Sequence, residues 1–128
     1  MEKGKSMGFK DLVAWQKGMR LVEAIYKITR EFPHEELYGL TSQMRRSAVS
    51  IPSNIAEGQL RKSKNEFAQF ILIALGSCAE LSTQFDLSKR LGYLDEMNFL
   101  RIAEDINELM KILHGLRKKL STNTITTN

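Results

Sequence analysis

Residues 38–58 carry a helical apolar pattern with a proline inside it. Leu40, Met44, Ala48, Ile51 and Ile55 recur at the three-and-four spacing of one helix face. Pro52 cannot donate to the carbonyl of Ala48 and crowds it, at roughly 3 kcal/mol in an ordinary helix. The interruption therefore reads as specified, and the second helix is expected to kink at Pro52. The short polar side chains of Ser47, Ser50, Ser53 and Asn54 surround the break, well placed to take up freed backbone groups.

Three further helical segments flank this one, and no stretch alternates as a strand does. The first is expected over residues 11–32, with Asp11 as N-cap and Pro33 as the stop. It carries two apolar stripes: Leu12, Trp15, Met19, Val22 and Tyr26, and beside them Leu21, Ile25, Ile28 and Phe32. Together they exceed what one small core can bury, which points to a second contact with another copy of the chain. Gly58 reads as the C-terminal breaker of the second helix. Ser63 and Glu66 form a capping box that opens a third helix ending near Leu91, before Gly92. Asp95 caps a fourth, whose core face is Phe99, Ile102, Ala103, Ile106, Leu109, Met110, Leu113 and Leu116.

The connections are short, so the expected fold is all-α, an antiparallel up-down-up-down four-helix bundle over residues 11–120. A basic leader (1–10) precedes it. A disordered tail (121–128), rich in Ser, Thr and Asn, follows it. At 128 residues, one domain is expected. The longest apolar run, Phe70 to Leu75, is short for a membrane span, and the first residues lack a signal-peptide pattern, so the cytoplasm is the expected location.

Chemistry-bearing groups are sparse. Cys78 stands alone and suits a buried thiol. His34 and His114 have no ligand-spaced companions, so neither a metal nor a cofactor is expected. Glu35, Glu36, Asp95 and Glu96 fall where helices begin and are explained as caps. Glu57 and Glu80 interrupt apolar or small-residue stretches. Burial against Arg45, Arg46 or Arg61 accounts for them more simply than catalysis does.

The net charge of +4 makes anionic partners reasonable. Lys10, Lys17, Arg20 and Lys27 share an arc of about 100° on the first helix. Arg45 and Arg46, and then Arg61, Lys62 and Lys64, add clusters on and after the second. Acidic neighbours such as Glu23 and Glu31 dilute the stripe. Most aromatic residues fall on core faces, which favours phosphate attraction over base stacking.

The pattern Phe9-Lys-Asp-Leu12 with Trp15-Gln16, then Phe32-Pro33, Tyr38-Gly39-Leu40, the run from Gln43 through Ser50-Ile-Pro-Ser-Asn-Ile-Ala-Glu to Gly58, Gly76-Ser77 and Glu80-Leu81 resembles the 23S rRNA-intervening-sequence protein family. The resemblance implies a bacterial four-helix bundle that assembles as a homopentamer, and it brings no catalytic residue to carry over. A more distant similarity, to the accessory variability determinant of diversity-generating retroelements, implies binding to nucleic acid. The expected function is therefore a non-enzymatic ring that holds RNA or DNA through Lys17, Arg20, Lys27, Arg45, Arg46, Arg61, Lys62 and Lys64. The alternatives are a protein-docking scaffold built on residues 38–58, and, more remotely, a nuclease using Glu57 or Glu80.

Overall fold

The computed structural model describes residues 8–125. Its helices are α1 (Val13–Thr29), α2 (Leu40–Gln59), α3 (Lys64–Arg90) and α4 (Glu96–Ile125), with 3-10 turns at Phe9–Asp11 and His34–Glu36 and no strand among the described residues. The chain is an all-α four-helix bundle, as expected. Each helix packs on its neighbour in sequence and α1 also packs on α4.

Several boundaries differ from the sequence reading, each for a local reason. Asp11 does not cap α1. Its carboxylate accepts the Gly8 N–H at 3.2 Å, closing the preceding turn, and Leu12 stands at the N-cap without a side-chain bond. α1 stops at Thr29, short of Phe32, because the residues before Pro33 turn tightly, with Phe32 N–H on the Thr29 carbonyl. Freed from the helix, Phe32 is buried and packs against Tyr93, ring centroids 5.3 Å apart.

α4 continues to Ile125, through part of the segment expected to be a disordered tail. Nothing between Leu120 and Ile125 is Gly or Pro, so no residue there stops a helix already anchored by buried Leu120. Residues 1–7 of the basic leader and 126–128 of the tail lie outside the described residues.

Two ends follow local chemistry as anticipated. Ser63 Oγ accepts the Glu66 N–H at 3.1 Å at the start of α3, and Asp95 Oδ1 accepts the Asn98 N–H at 2.8 Å at the start of α4. At the end of α3, Gly92 takes φ +84°, Gly92 N–H reaches the Lys89 carbonyl and Tyr93 N–H the Ser88 carbonyl. This is the Schellman arrangement, and it needs the glycine.

α2 runs as one helix through Pro52, which is buried. Gly18 of α1 lies opposite, where an added Cβ would stand 3.4 Å from the proline ring, so the two helices meet closely at this pair. The polar residues around the proline do not converge on it. Asn54 Nδ2 donates to the Ser50 carbonyl at 2.8 Å, Ser50 Oγ pairs with Ser77 Oγ at 2.8 Å, and Ser47 Oγ donates to Glu80 at 3.4 Å. They form a polar seam between α2 and α3.

Gly58 is not a breaker either. It lies one residue inside α2, and a Cβ there would stand 2.6 Å from Phe70 Cβ and 3.0 Å from the Phe67 ring. The glycine permits α2 and α3 to converge. Leu21, Ile25, Met44, Ile51, Ile55, Ile71, Leu81, Phe85, Ile102, Ile106, Leu109 and Leu113 fill the core. Phe85 stacks on Phe99, with centroids 5.1 Å apart.

Candidate nucleic-acid interface

The eight basic residues read from the sequence fall into three places. On α1, Lys17 pairs with Glu108 of α4 at 3.3 Å, and Arg20 lines a small cleft with Asp105 and Glu108. Lys27 borders another cleft with Glu31 and Asp95. The helical arc is real, but α4 packs beside it and brings carboxylates that the arc alone does not reveal. These three cations therefore lie in locally neutralised surroundings.

The second place is the middle of α2. Arg45 Nε donates to Thr29 Oγ1 at 2.9 Å, its Nη2 reaches the Tyr26 carbonyl at 3.4 Å, and its guanidinium lies 4.5 Å from the Tyr26 ring centroid. This half-buried arginine ties α2 to the last turn of α1, where positive charge also suits the helix dipole. Arg46 projects outward, and no carboxylate among the described residues pairs with it.

The third place is the α2–α3 connection. Arg61 pairs with Glu57 at 2.8 Å and covers the Phe70 ring at 4.8 Å, while Lys62 and Lys64 are exposed with no ion-pair partner among the described residues. Thirteen helical residues, Ser47 to Gln59, about 20 Å of rise, separate Arg46 from this connection. The sites are spaced along the molecule and do not form one patch.

Glu57 therefore pairs with arginine, as expected, but on the surface. Glu80 is also exposed, and its bond is to Ser47, not to an arginine. Both lie on outward arcs of their helices, so the small residues around them mark close helix approach and not a buried pocket. Cys78 is buried, and burial pushes its thiol up to about 12. Among the described residues no three His, Cys, Asp or Glu side chains gather as a metal site.

A feature that the sequence reading missed lies beside Arg46. The C-terminal half of α1 and the first turns of α2 bound an open groove of about 660 Å³, lined by Tyr26, Tyr38, Thr41, Ser42, Arg45 and Arg46 among others. Among the described residues, no carboxylate lines it. Tyr38 is 92% exposed, in the turn leading into α2, beyond the reach of the helical periodicity that sorts core from surface. The signal available in the sequence was Gly39, which ends the turn and lets α2 begin only at Leu40, two residues beyond Tyr38. A second, more apolar groove continues toward the other end, bounded by Trp15, Met19, Val22, Val49 and Ala56.

α3 also presents an unpartnered apolar edge. Leu72, Ile73 and Leu87 are exposed, with Gly76 and Ala79 between them. α3 alone among the described helices is long and apolar enough to cross a membrane by length and composition. Its inner face, Ile71, Ala74, Cys78, Leu81 and Phe85, is spent on the bundle core, so the outer edge is the source of its surplus hydropathy.

A family model described as 23S rRNA-intervening sequence protein matches residues 10–115. Among solved structures, one similar chain is a protein of unknown function from the S23 ribosomal protein family of Bacteroides thetaiotaomicron. It is 26% identical, with a TM-score of 0.75, over 83% of this chain and 99% of that one. No curated protein gives a significant match.

Proposed function

Since this chain belongs to the 23S rRNA-intervening sequence protein family, we propose that it is a non-enzymatic, self-associating helical bundle of the cytoplasm that holds nucleic acid by its phosphates. The observation that carries this reading is the set of exposed cations Arg46, Lys62 and Lys64, which face solvent without carboxylate partners. The family's name, tied to 23S rRNA, and the neighbour's assignment to a ribosomal protein family bring RNA forward as the ligand. Self-association, as the homopentamer anticipated from the sequence, is supported by the apolar groove on α1 and α2 and the apolar edge of α3. These are different surfaces, so the contact is head-to-tail and closes into a ring. Each copy then repeats the same cations around one axis.

The test is a titration of structured RNA and duplex DNA at two salt concentrations. Three phosphate contacts per subunit give a slope of about −2.7 for log affinity against log salt on duplex DNA. Arg46→Ala with Lys62→Ala and Lys64→Ala should abolish most of it. Absence of binding at low salt overturns the reading. The same apolar surfaces favour a second one, a scaffold for another protein, which predicts a partner recovered in a pull-down that survives nuclease treatment.

A further inference from the structure

We propose that the groove between α1 and α2 takes one unpaired nucleotide, its base stacked on Tyr38 and its phosphate held by Arg46. This rests on the nucleic-acid reading and gives it a site and a substrate class. Three observations converge there. Tyr38 offers an almost fully exposed aromatic face at the mouth of the groove. A stacked base would cover that ring on one side and leave its hydroxyl in water. Arg46 supplies an unpaired guanidinium, whose planar fork suits two phosphate oxygens at once. The groove also carries Ser42 and Tyr26, partly exposed hydroxyl-bearing groups that accept or donate to a base edge or a sugar, whereas Thr41 beneath them is buried.

Electrostatics and size agree with this occupant. The groove holds two arginines and no carboxylate, in contrast to the clefts around Arg20 and Lys27, which contain Asp105, Glu108, Glu31 and Asp95. Its volume of about 660 Å³ is within the roughly 300–1,000 Å³ of small-molecule sites. It is a groove and not a closed cavity, so a strand can enter and leave with one base set into it. A duplex cannot use it in this way, because paired bases present no free face to the tyrosine. Arg45 is already engaged with Thr29 and Tyr26 and acts as a positioning residue, holding the Tyr26 side of the wall in place.

The experiment is fluorescence anisotropy with the full chain at low salt, using a labelled single-stranded oligonucleotide of about twelve residues, as RNA and as DNA, and the matching duplexes. The wild type is expected to prefer the single strands. Tyr38→Ala should weaken single-strand binding roughly 5- to 150-fold, the range for loss of one base–aromatic stack. It should leave duplex binding and the salt slope unchanged, and Tyr38→Trp should restore the affinity. Arg46→Ala should weaken binding and reduce the single-strand slope by about 0.7. Lys62→Ala should lower both ligands' affinities alike. Because Tyr38 is exposed, its variants should keep the helical circular dichroism of the wild type.

Equal binding of single strands and duplex, with Tyr38→Ala silent on both, overturns the groove assignment while the nucleic-acid reading stands. No binding of any ligand overturns that reading and the groove with it. If Tyr38→Ala instead dissociates the assembly in light scattering, the groove is a contact between subunits and the assignment is also overturned.

Discussion

At Gly58 and Gly115 the same substitution carries opposite signs. Alanine gains roughly 0.8–1 kcal/mol over glycine within a helix, and at Gly115 an added Cβ meets nothing within 4 Å. Gly115→Ala should therefore stabilise the protein by about that amount. At Gly58 the new Cβ would stand 2.6 Å from Phe70 Cβ, a contact that only a shift of α3 relieves. Overpacking of this kind costs about 1–3 kcal/mol and outweighs the propensity gain. Gly58→Ala should lower the urea midpoint while Gly115→Ala raises it, and equal shifts would show that the α2–α3 approach is looser than these distances. Cys78 is a second residue whose surroundings decide its behaviour. With its thiol raised to about 12, hardly any thiolate forms at pH 8. Alkylation of the native chain should be slower than that of the urea-unfolded chain by on the order of a thousandfold.

α2 begins on a side chain that reaches in from the preceding turn. Glu36 Oε1 accepts the Leu40 N–H at 3.1 Å, and its other oxygen accepts the Tyr93 hydroxyl at 2.9 Å, tying the start of α2 to the α3–α4 connection. Glu36→Ala should cost about 1 kcal/mol through the lost cap alone, read as a shift in the urea midpoint. The hydrogen bond to Glu36, assisted by partial desolvation and by the carboxylates' charge, raises the Tyr93 hydroxyl above its ordinary value near 10. Below that value both folded and unfolded chains keep the proton, and the bond contributes in full. As pH climbs past 10 the unfolded chain ionises first, so stability falls. The difference between wild type and Tyr93→Phe should shrink across that window, and a constant difference would show that the hydroxyl is not coupled to folding.

The same comparison shows which elements the sequence makes legible. Ser63, Asp95 and Gly92 act through neighbours three to five residues away, so their roles follow from spacing alone. Gly58 and Asp11 are decided by contacts that spacing does not contain: a phenylalanine on another helix, and a turn upstream of the helix start. Arg45 and Arg46 were visible as charge, but only the packing of α1 on α2 separates the engaged arginine from the free one. Tyr38 escaped because the sequence reading starts the second helix near Leu37, whereas α2 begins only at Leu40 and leaves Tyr38 in the preceding turn.

Across the whole molecule, the apolar residues outnumber the positions that one bundle can bury. α1 divides its two stripes accordingly: Leu21 and Ile25 are in the core, while Met19 and Tyr26 stay partly open beside Trp15 and Val22. α3 repeats the pattern with Leu72, Ile73 and Leu87 left outside. Exposed apolar side chains such as these are costly unless another surface covers them, and burial yields roughly 25 cal/mol per Å². If α3 of one subunit enters the second, more apolar groove of the next, bounded by Trp15, Met19 and Val22 and distinct from the one beside Tyr38, a charge placed on either side should disrupt the assembly without disturbing the fold, since neither Leu72 nor Met19 fills the core. Leu72→Glu and Met19→Glu should each reduce the mass in light scattering to that of a smaller species or a single chain. Circular dichroism should remain helical. If the two faces meet head-to-tail, a mixture of the two variants still offers one intact groove and one intact edge. Such a mixture should recover a pairwise complex but not a closed ring, an outcome that a symmetric contact between like faces does not predict.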